Sequence, residues 1–147
     1  MTVQNEMTLS FESRSSNESF ARSAVSAFAA QLDPTIAELN EIRTAVSEAV
    51  TNCVVHAYRD TIGIIRIQVK LTEDHQILIK VKDTGCGIEN VSRAMEPLYT
   101  TAPEEERTGL GFAVMQSFTD HLSVRSKPGK GTTITMKKVL SRRVGNG

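Results

Sequence analysis

A chain of 147 residues, 39% hydrophobic and 23% charged, has the make-up of a single globular domain over 1–147 and not of a disordered or fibrous protein. Lysine plus arginine and aspartate plus glutamate number 17 each, so no net positive field exists to neutralise a row of phosphates, and direct nucleic-acid binding is not expected. Cys53 and Cys86 form no C-x-x-C pair, and no stretch approaches the roughly 18 apolar residues of a bilayer span, which argues against a zinc or dithiol site and against a membrane protein and fits a reducing cytoplasm.

Along the chain, Met7, Leu9 and Phe11 alternate with Thr8, Ser10 and Glu12, the period of a half-buried strand. After the polar cluster Ser13 to Ser16, Phe20, Ala21, Ala24, Val25, Phe28 and Ala29 recur at helical spacing until Asp33-Pro34 closes the segment. A second, longer helix is predicted from about Thr35 to Tyr58, with Ile36, Leu39, Ile42, Val46, Ala49, Val50 and Cys53 on one side. Ile62 to Leu71 and Ile77 to Val81 read as the arms of a hairpin around Glu73-Asp74-His75. Gly85 and Gly87 break the pattern, a short helix follows, and the polar stretch from Pro97 to Thr108 reads as a mobile loop. Leu110 to Phe118 is again helical, Leu122 to Ser126 and Thr132 to Val139 are two last strands, and Ser141 to Gly147 is expected to fray. This order predicts an α+β fold with helices on one face of a mixed sheet.

Glu48, Asn52 and His56 stand four residues apart on the second helix, so successive members are rotated by only about 40° and form a row at the margin of its apolar face. A carboxylate and an amide so placed supply a proton acceptor and a hard oxygen ligand, the minimum for activating a hydroxyl beside a magnesium-bound phosphate. Taken alone, both also suit a solvated helix surface. Asp83-Thr84-Gly85-Cys86-Gly87 follows a strand; its aspartate can accept from an exocyclic amine, and its glycines tolerate backbone shapes and close approach that a β-carbon resists. Thr108-Gly109-Leu110-Gly111-Phe112 opens a helix, where free amides and the positive helix end suit an anion. Gly129-Lys130-Gly131-Thr132 lacks P-loop spacing and precedes a strand, so a Walker-type site is rejected.

E-x-x-x-N on a helix, then D-x-G-x-G, T-G-x-G and G-x-G-T in this order resemble the boxes of the Bergerat ATP-binding fold shared by gyrase, chaperones and histidine kinases, over Glu48 to Thr133. Ser47-Glu48-Ala49-Val50-Thr51-Asn52 with His56-Ala57-Tyr58, Pro97-Leu98-Tyr99-Thr100-Thr101 and the Asn17 to Arg22 segment resemble, more narrowly, the sporulation anti-sigma F factor group. The resemblance implies a two-layer α/β sandwich with a mostly antiparallel sheet, ATP and Mg2+ as cofactors, and serine kinase activity on an anti-anti-sigma factor. It implies Glu48 as general base, Asn52 as magnesium ligand, Asp83 on the adenine amine with Thr132 supporting it through water, and Gly85 and Gly87 against the nucleotide. It places Gly109 and Gly111, with Thr108, Leu110 and Phe112, around the phosphates, Arg107 on the terminal phosphate as a catalytic donor, His56 beside the nucleotide, and Thr100 and Thr101 in a lid over about 97–108. Ala102 stands where relatives often carry a lysine, which removes a possible phosphate contact. It further implies a homodimer that holds one sigma factor, with Glu18 and Arg22 on the partner-binding helix; from spacing alone the two are an i,i+4 ion pair worth a few tenths of a kcal/mol.

Three other readings compete. A non-catalytic module that uses nucleotide only to set its shape has no need of Glu48. An aspartic protease monomer built on Asp83-Thr84-Gly85 conflicts with two helices in the N-terminal half, and a histidine-kinase catalytic domain lacks a preceding helical hairpin bearing a phospho-accepting histidine.

Overall fold

A computed structural model describes residues 2–88, 91 and 108–141. Its elements are β1 (Val3–Glu12), α1 (Asn17–Ala29), a 3-10 turn (Ala30–Leu32), α2 (Ile36–Asn52), a widened helical turn (Cys53–Ala57), β2 (Ile64–Thr72), β3 (Gln76–Asp83), α3 (Thr108–Phe118), β4 (His121–Lys127) and β5 (Gly131–Val139). The predicted short helix apart from Val91, most of the predicted lid, and the tail beyond Ser141 that was expected to fray lie outside the described residues.

The strands form one sheet in the order β1-β2-β3-β5-β4. Every neighbouring pair among them is antiparallel, in keeping with the mostly antiparallel sheet expected, and no pair among the described strands is parallel. Two hairpins, β2 with β3 and β4 with β5, account for two of these pairings, and antiparallel pairing of β3 with β5 joins them. Period-two alternation sends Ile65, Ile67, Val69 and Leu71 of β2, with Ile77, Ile79 and Val81 of β3 and Ile134 and Met136 of β5, into the core. The same face meets Val25 of α1 and Ile42, Val46 and Val50 of α2, while Ala21, Ala29, Ala45 and Ala49 are fully buried and let the two helices approach closely. α3 packs on α2 through buried Phe112 and Met115, so α1, α2 and α3 share one side of the sheet.

α2 is anchored at both ends, and that fixes where its polar row points. Thr35 Oγ1 accepts from Glu38 N at 3.0 Å and Glu38 Oε1 accepts from Thr35 N at 2.9 Å, a reciprocal cap. The other Glu38 oxygen accepts from Ser141 N at 2.8 Å, tying the end of the described chain to the start of α2. Burial works against ionisation of Glu38, but these hydrogen bonds outweigh it and hold its carboxyl below the usual carboxylate range. Thr35→Ala should therefore cost about 1 kcal/mol, read as a lower urea midpoint at unchanged slope.

At its far end α2 stops at Asn52 rather than running on to Tyr58. The next turn bonds at i→i+5, with Tyr58 N donating to Cys53 O at 3.1 Å. The carbonyl of Ala57 then accepts from Cys86 N at 3.0 Å, so the widened turn exchanges a helical bond for a contact with the loop after β3.

Candidate functional site

Asp83 closes β3 opposite Thr132, the second residue of β5. It is 2% exposed, and its Oδ1 accepts from Gly85 N at 2.9 Å and Thr132 N at 3.2 Å. Among the described residues its Oδ2 has only a thiol donor, Cys53 Sγ at 3.5 Å. Burial raises the Asp83 pKa and these three donors oppose the rise. Beneath it, burial and then the Asp83 charge push the Cys53 thiol well above its ordinary value, so Cys53 is a neutral donor to the carboxylate. Thr132 is buried too, its hydroxyl 2.8 Å from Ser126 Oγ, and Ser126 Oγ accepts from Ile88 N at 2.8 Å.

The glycines of the loop after β3 have a packing role that their sequence does not declare. A β-carbon at Gly85 would collide with the Ala57 carbonyl, and one at Gly87, whose φ is 77°, with the carbonyl of Lys127. These small residues press the loop against the widened turn on one side and the β4–β5 turn on the other, where Gly129 N donates to Cys86 O at 2.7 Å. Tyr58 completes the frame: its hydroxyl donates to Ile64 O at 2.8 Å and accepts from Thr84 N at 2.7 Å.

Glu48 and Asn52 are half-buried on α2, the second being its last residue. A β-carbon at Gly111 would lie 3.4 Å from Glu48 Oε1, so the acid stands against the opening turns of α3. Gly111 and Phe112 are buried there; of Thr108, Gly109 and Leu110 only the helical backbone is described. The Asn52 side chain makes no hydrogen bond among the described residues, which leaves its amide oxygen available to a ligand. No group of three His, Cys, Asp or Glu among the described residues is arranged as a metal cage. Magnesium bound beside a phosphate needs only one or two protein oxygens, and the amide oxygen of Asn52 is a donor of that kind, with Glu48 one turn away.

His56 lies in the widened turn and not on α2 itself. Burial, then the positive charge of Arg59, lower its pKa to about 4, so the imidazole is neutral near pH 7. The unfolded chain binds a proton at this ring near 6.5 and the folded chain only near 4, so stability should fall as pH drops through that window. His56→Gln should flatten this part of the dependence, measured as urea midpoints at about pH 7 and about pH 5.

Glu18 and Arg22 on α1 form the expected i,i+4 ion pair at 3.5 Å, but it is not merely solvated. Thr51 Oγ1 donates to Glu18 Oε2 at 2.8 Å and Arg22 Nη1 donates to Ser47 Oγ at 3.3 Å, which ties the pair to the residues just before Asn52 and Glu48. Arg107, Thr100, Thr101 and Ala102 lie outside the described residues. Sequence reasoning did not assign Cys53, Tyr58 and Ser126 to the support of the site; Cys53 reads as a core position and Tyr58 as part of a motif, and each acts through a partner distant in the chain. An open cleft of about 450 Å³ lined by residues 57–61 and 84–86 flanks the Asp83 site without containing Glu48, Asn52 or Asp83.

The family model for the histidine kinase-like ATPase domain matches residues 11–138. An anti-sigma F factor of Caldanaerobacter subterraneus is 58% identical over 97% of this chain and 99% of its own length. Those of a Thermoanaerobacter species and Clostridium acetobutylicum are 56% and 51% identical, over 95% and 92% of this chain and 97% and 94% of theirs. Among solved structures, the RsbU and RsbW domains of Rv1364c from Mycobacterium tuberculosis superpose at a TM-score of 0.68 with 19% identity, over 95% of this chain and 33% of that one. A histidine kinase domain from an Erythrobacter litoralis blue-light activated kinase gives 0.55 at 19% identity, over 81% of this chain and 59% of its own. These two likenesses speak for the fold alone.

Proposed function

The chain belongs to the anti-sigma F factors, a family built on the histidine kinase-like ATPase domain, and on that premise we propose that it is a single-domain, ATP-dependent serine kinase that inhibits a sporulation sigma factor and phosphorylates an anti-anti-sigma factor. The observation that carries the kinase reading is the approach of the Glu48 carboxylate to the start of α3. A helix N-terminus offers unpaired amides to phosphate, and an acid beside it is placed to take a proton from a hydroxyl attacking that phosphate.

In this reading Asp83 forms the floor under the adenine, accepting from its exocyclic amine, with Thr132 beside it. Gly85 and Gly87 hold the loop that flanks the base, and His56 lies nearby as a neutral ring. The phosphates run toward Thr108 to Phe112, with Arg107, Thr100 and Thr101 supplied by the lid. Asn52 would hold Mg2+, which when bound would neutralise phosphate charge. The substrate serine oxygen forms a bond to the γ-phosphorus as the bond from that phosphorus to the β,γ-bridging oxygen breaks. Glu48 takes the serine proton and ADP leaves. The chain's contribution is placement and charge, which is what phosphoryl transfer chiefly requires.

The sigma factor is read by Glu18 and Arg22 on α1, and two copies pair through β1 and α1. Phe20 supports that pairing: it is 53% exposed on α1 and packs edge-on against Phe11 of β1, with ring centroids 6.2 Å apart. Labelled ATP, Mg2+ and the anti-anti-sigma factor mixed with the protein should yield phosphoserine on that factor. No phosphoserine under conditions where nucleotide binds would contradict the kinase and favour a binding module.

A further inference from the structure

Charge is balanced over the whole chain, 17 against 17, but it is not balanced over the sheet. The residues that alternate with the buried ones on β2 to β5 point away from all three helices. On that outward face Arg66 is the direct cross-strand partner of Lys82, Lys82 of Thr133, and Thr133 of Arg125. Two residues along, Lys80 sits between Gln68 and Thr135, and two further, Leu78 lies between Lys70 and Lys137. Arg66, Lys80, Lys82 and Arg125 are exposed. No outward position of these four strands is acidic. The acids of this face, Glu6 and Glu12, are on the edge strand β1, and Glu12 is engaged by Arg14 at 2.8 Å. None of the five lysines and arginines on β3, β4, β5 and at Lys70 named here forms an ion pair among the described residues.

Folding alone gives no reason for this arrangement. Like charges directly opposite each other on neighbouring strands destabilise a sheet, as Arg66 and Lys82 must. Lysines guard sheet edges against unwanted pairing, but Lys80 and Lys82 are on β3, the central strand, whose two sides are already paired. We propose that the outward face of the sheet is a docking surface for an acidic segment of a partner protein. Strands about 4.8 Å apart and a two-residue repeat of about 7 Å spread the cations as a flat lattice, with the Thr133 and Thr135 hydroxyls between them as further donors. Carboxylates along an acidic helix or strand match such a lattice. The outward positions of β2 to β5 hold no Phe, Tyr or Trp on which single-stranded bases could stack, and a five-stranded face is wider than the two-stranded ribbon that a major groove admits. This surface lies on the opposite face of the sheet from the nucleotide site, whose Asp83 and Thr132 are buried on the helical side, and the inference stands or falls without it.

The test uses the full chain with a fluorescent Glu-rich peptide and its Gln counterpart. The Glu peptide should bind and the Gln peptide should not, with affinity falling as salt rises. Lys80→Glu with Arg125→Glu should weaken binding by about tenfold or more, while Arg43→Glu on the helical side leaves it unchanged. Amide NMR shifts should fall on β3, β4 and β5. Lys82→Gln should weaken binding yet hold or raise the thermal midpoint, because it relieves the repulsion with Arg66. The proposal is overturned if the double reversal binds as well as the parent, if Arg43→Glu loses as much, or if single-stranded DNA, duplex DNA or anionic vesicles bind better than the Glu peptide.

Discussion

Glu48→Ala will slow phosphoryl transfer to the anti-anti-sigma factor by about a hundred- to ten-thousandfold, the usual range for loss of a positioned general base. Nucleotide affinity should change little, since in the proposed mechanism this carboxylate serves the attacking hydroxyl and not the base or ribose. The fold should also survive, because Glu48 is half-buried at the margin of α2 while the packing of that helix rests on Val46, Ala49 and Val50 beside it. Single-turnover transfer with labelled ATP separates these effects. A variant that transfers as fast as its parent would remove Glu48 from the chemistry. A parent that binds nucleotide and never transfers would leave a module whose shape alone is set by ATP.

Asp83→Asn should separate binding from stability. The asparagine oxygen can keep both backbone donors, Gly85 N and Thr132 N, so the turn need not move. The atom that replaces Oδ2 becomes a donor, and it would meet the exocyclic amine of adenine, itself a donor. Loss of a hydrogen bond to a charged group costs about 1.5–3 kcal/mol, roughly ten- to a hundredfold in nucleotide affinity. Stability moves the other way. A carboxyl whose folded pKa is raised by burial favours the fold at pH values below its unfolded pKa, and that contribution is lost as pH rises and the group ionises. Near neutral pH the ionised Asp83 is thus a burden on the fold, and its amide analogue should melt at the same temperature or higher. Weaker ATP binding together with an unchanged or raised melting temperature is the expected pair of results; a lower melting temperature would make Asp83 a structural residue.

Much of the fold was legible because its signals are local. The alternation of Met7, Leu9 and Phe11 marks β1, although the strand begins earlier, at Val3, where its residues are exposed on both faces and leave no apolar trace. Ile62 was expected to open β2, but Gly63 N donates to Ser13 Oγ and the strand starts only at Ile64. β3 runs on to Asp83 because Thr132 pairs with it, a partner nearly fifty positions away that no local pattern reveals. The end of α2 was misplaced for the same reason, since its widened turn depends on Cys86 N taking the Ala57 carbonyl. Within the site, Asp83 and Glu48 stand out in sequence as candidate groups by their residue type and spacing, whereas the tightness around Gly85 and Gly87 comes from backbone packed against them from other elements. The charged outer face escaped notice because whole-chain composition averages it away.

A nucleotide pocket formed by α2, the end of β3 and the start of α3 underlies every functional role assigned to these residues, and titrating the folded protein with ATP in the presence of Mg2+ in a calorimeter tests it most directly. Saturable single-site uptake, weakened in Asp83→Asn and retained in Glu48→Ala, is the expected result. Absence of any heat of binding, with amide NMR spectra of the folded chain unmoved by ATP, would contradict it.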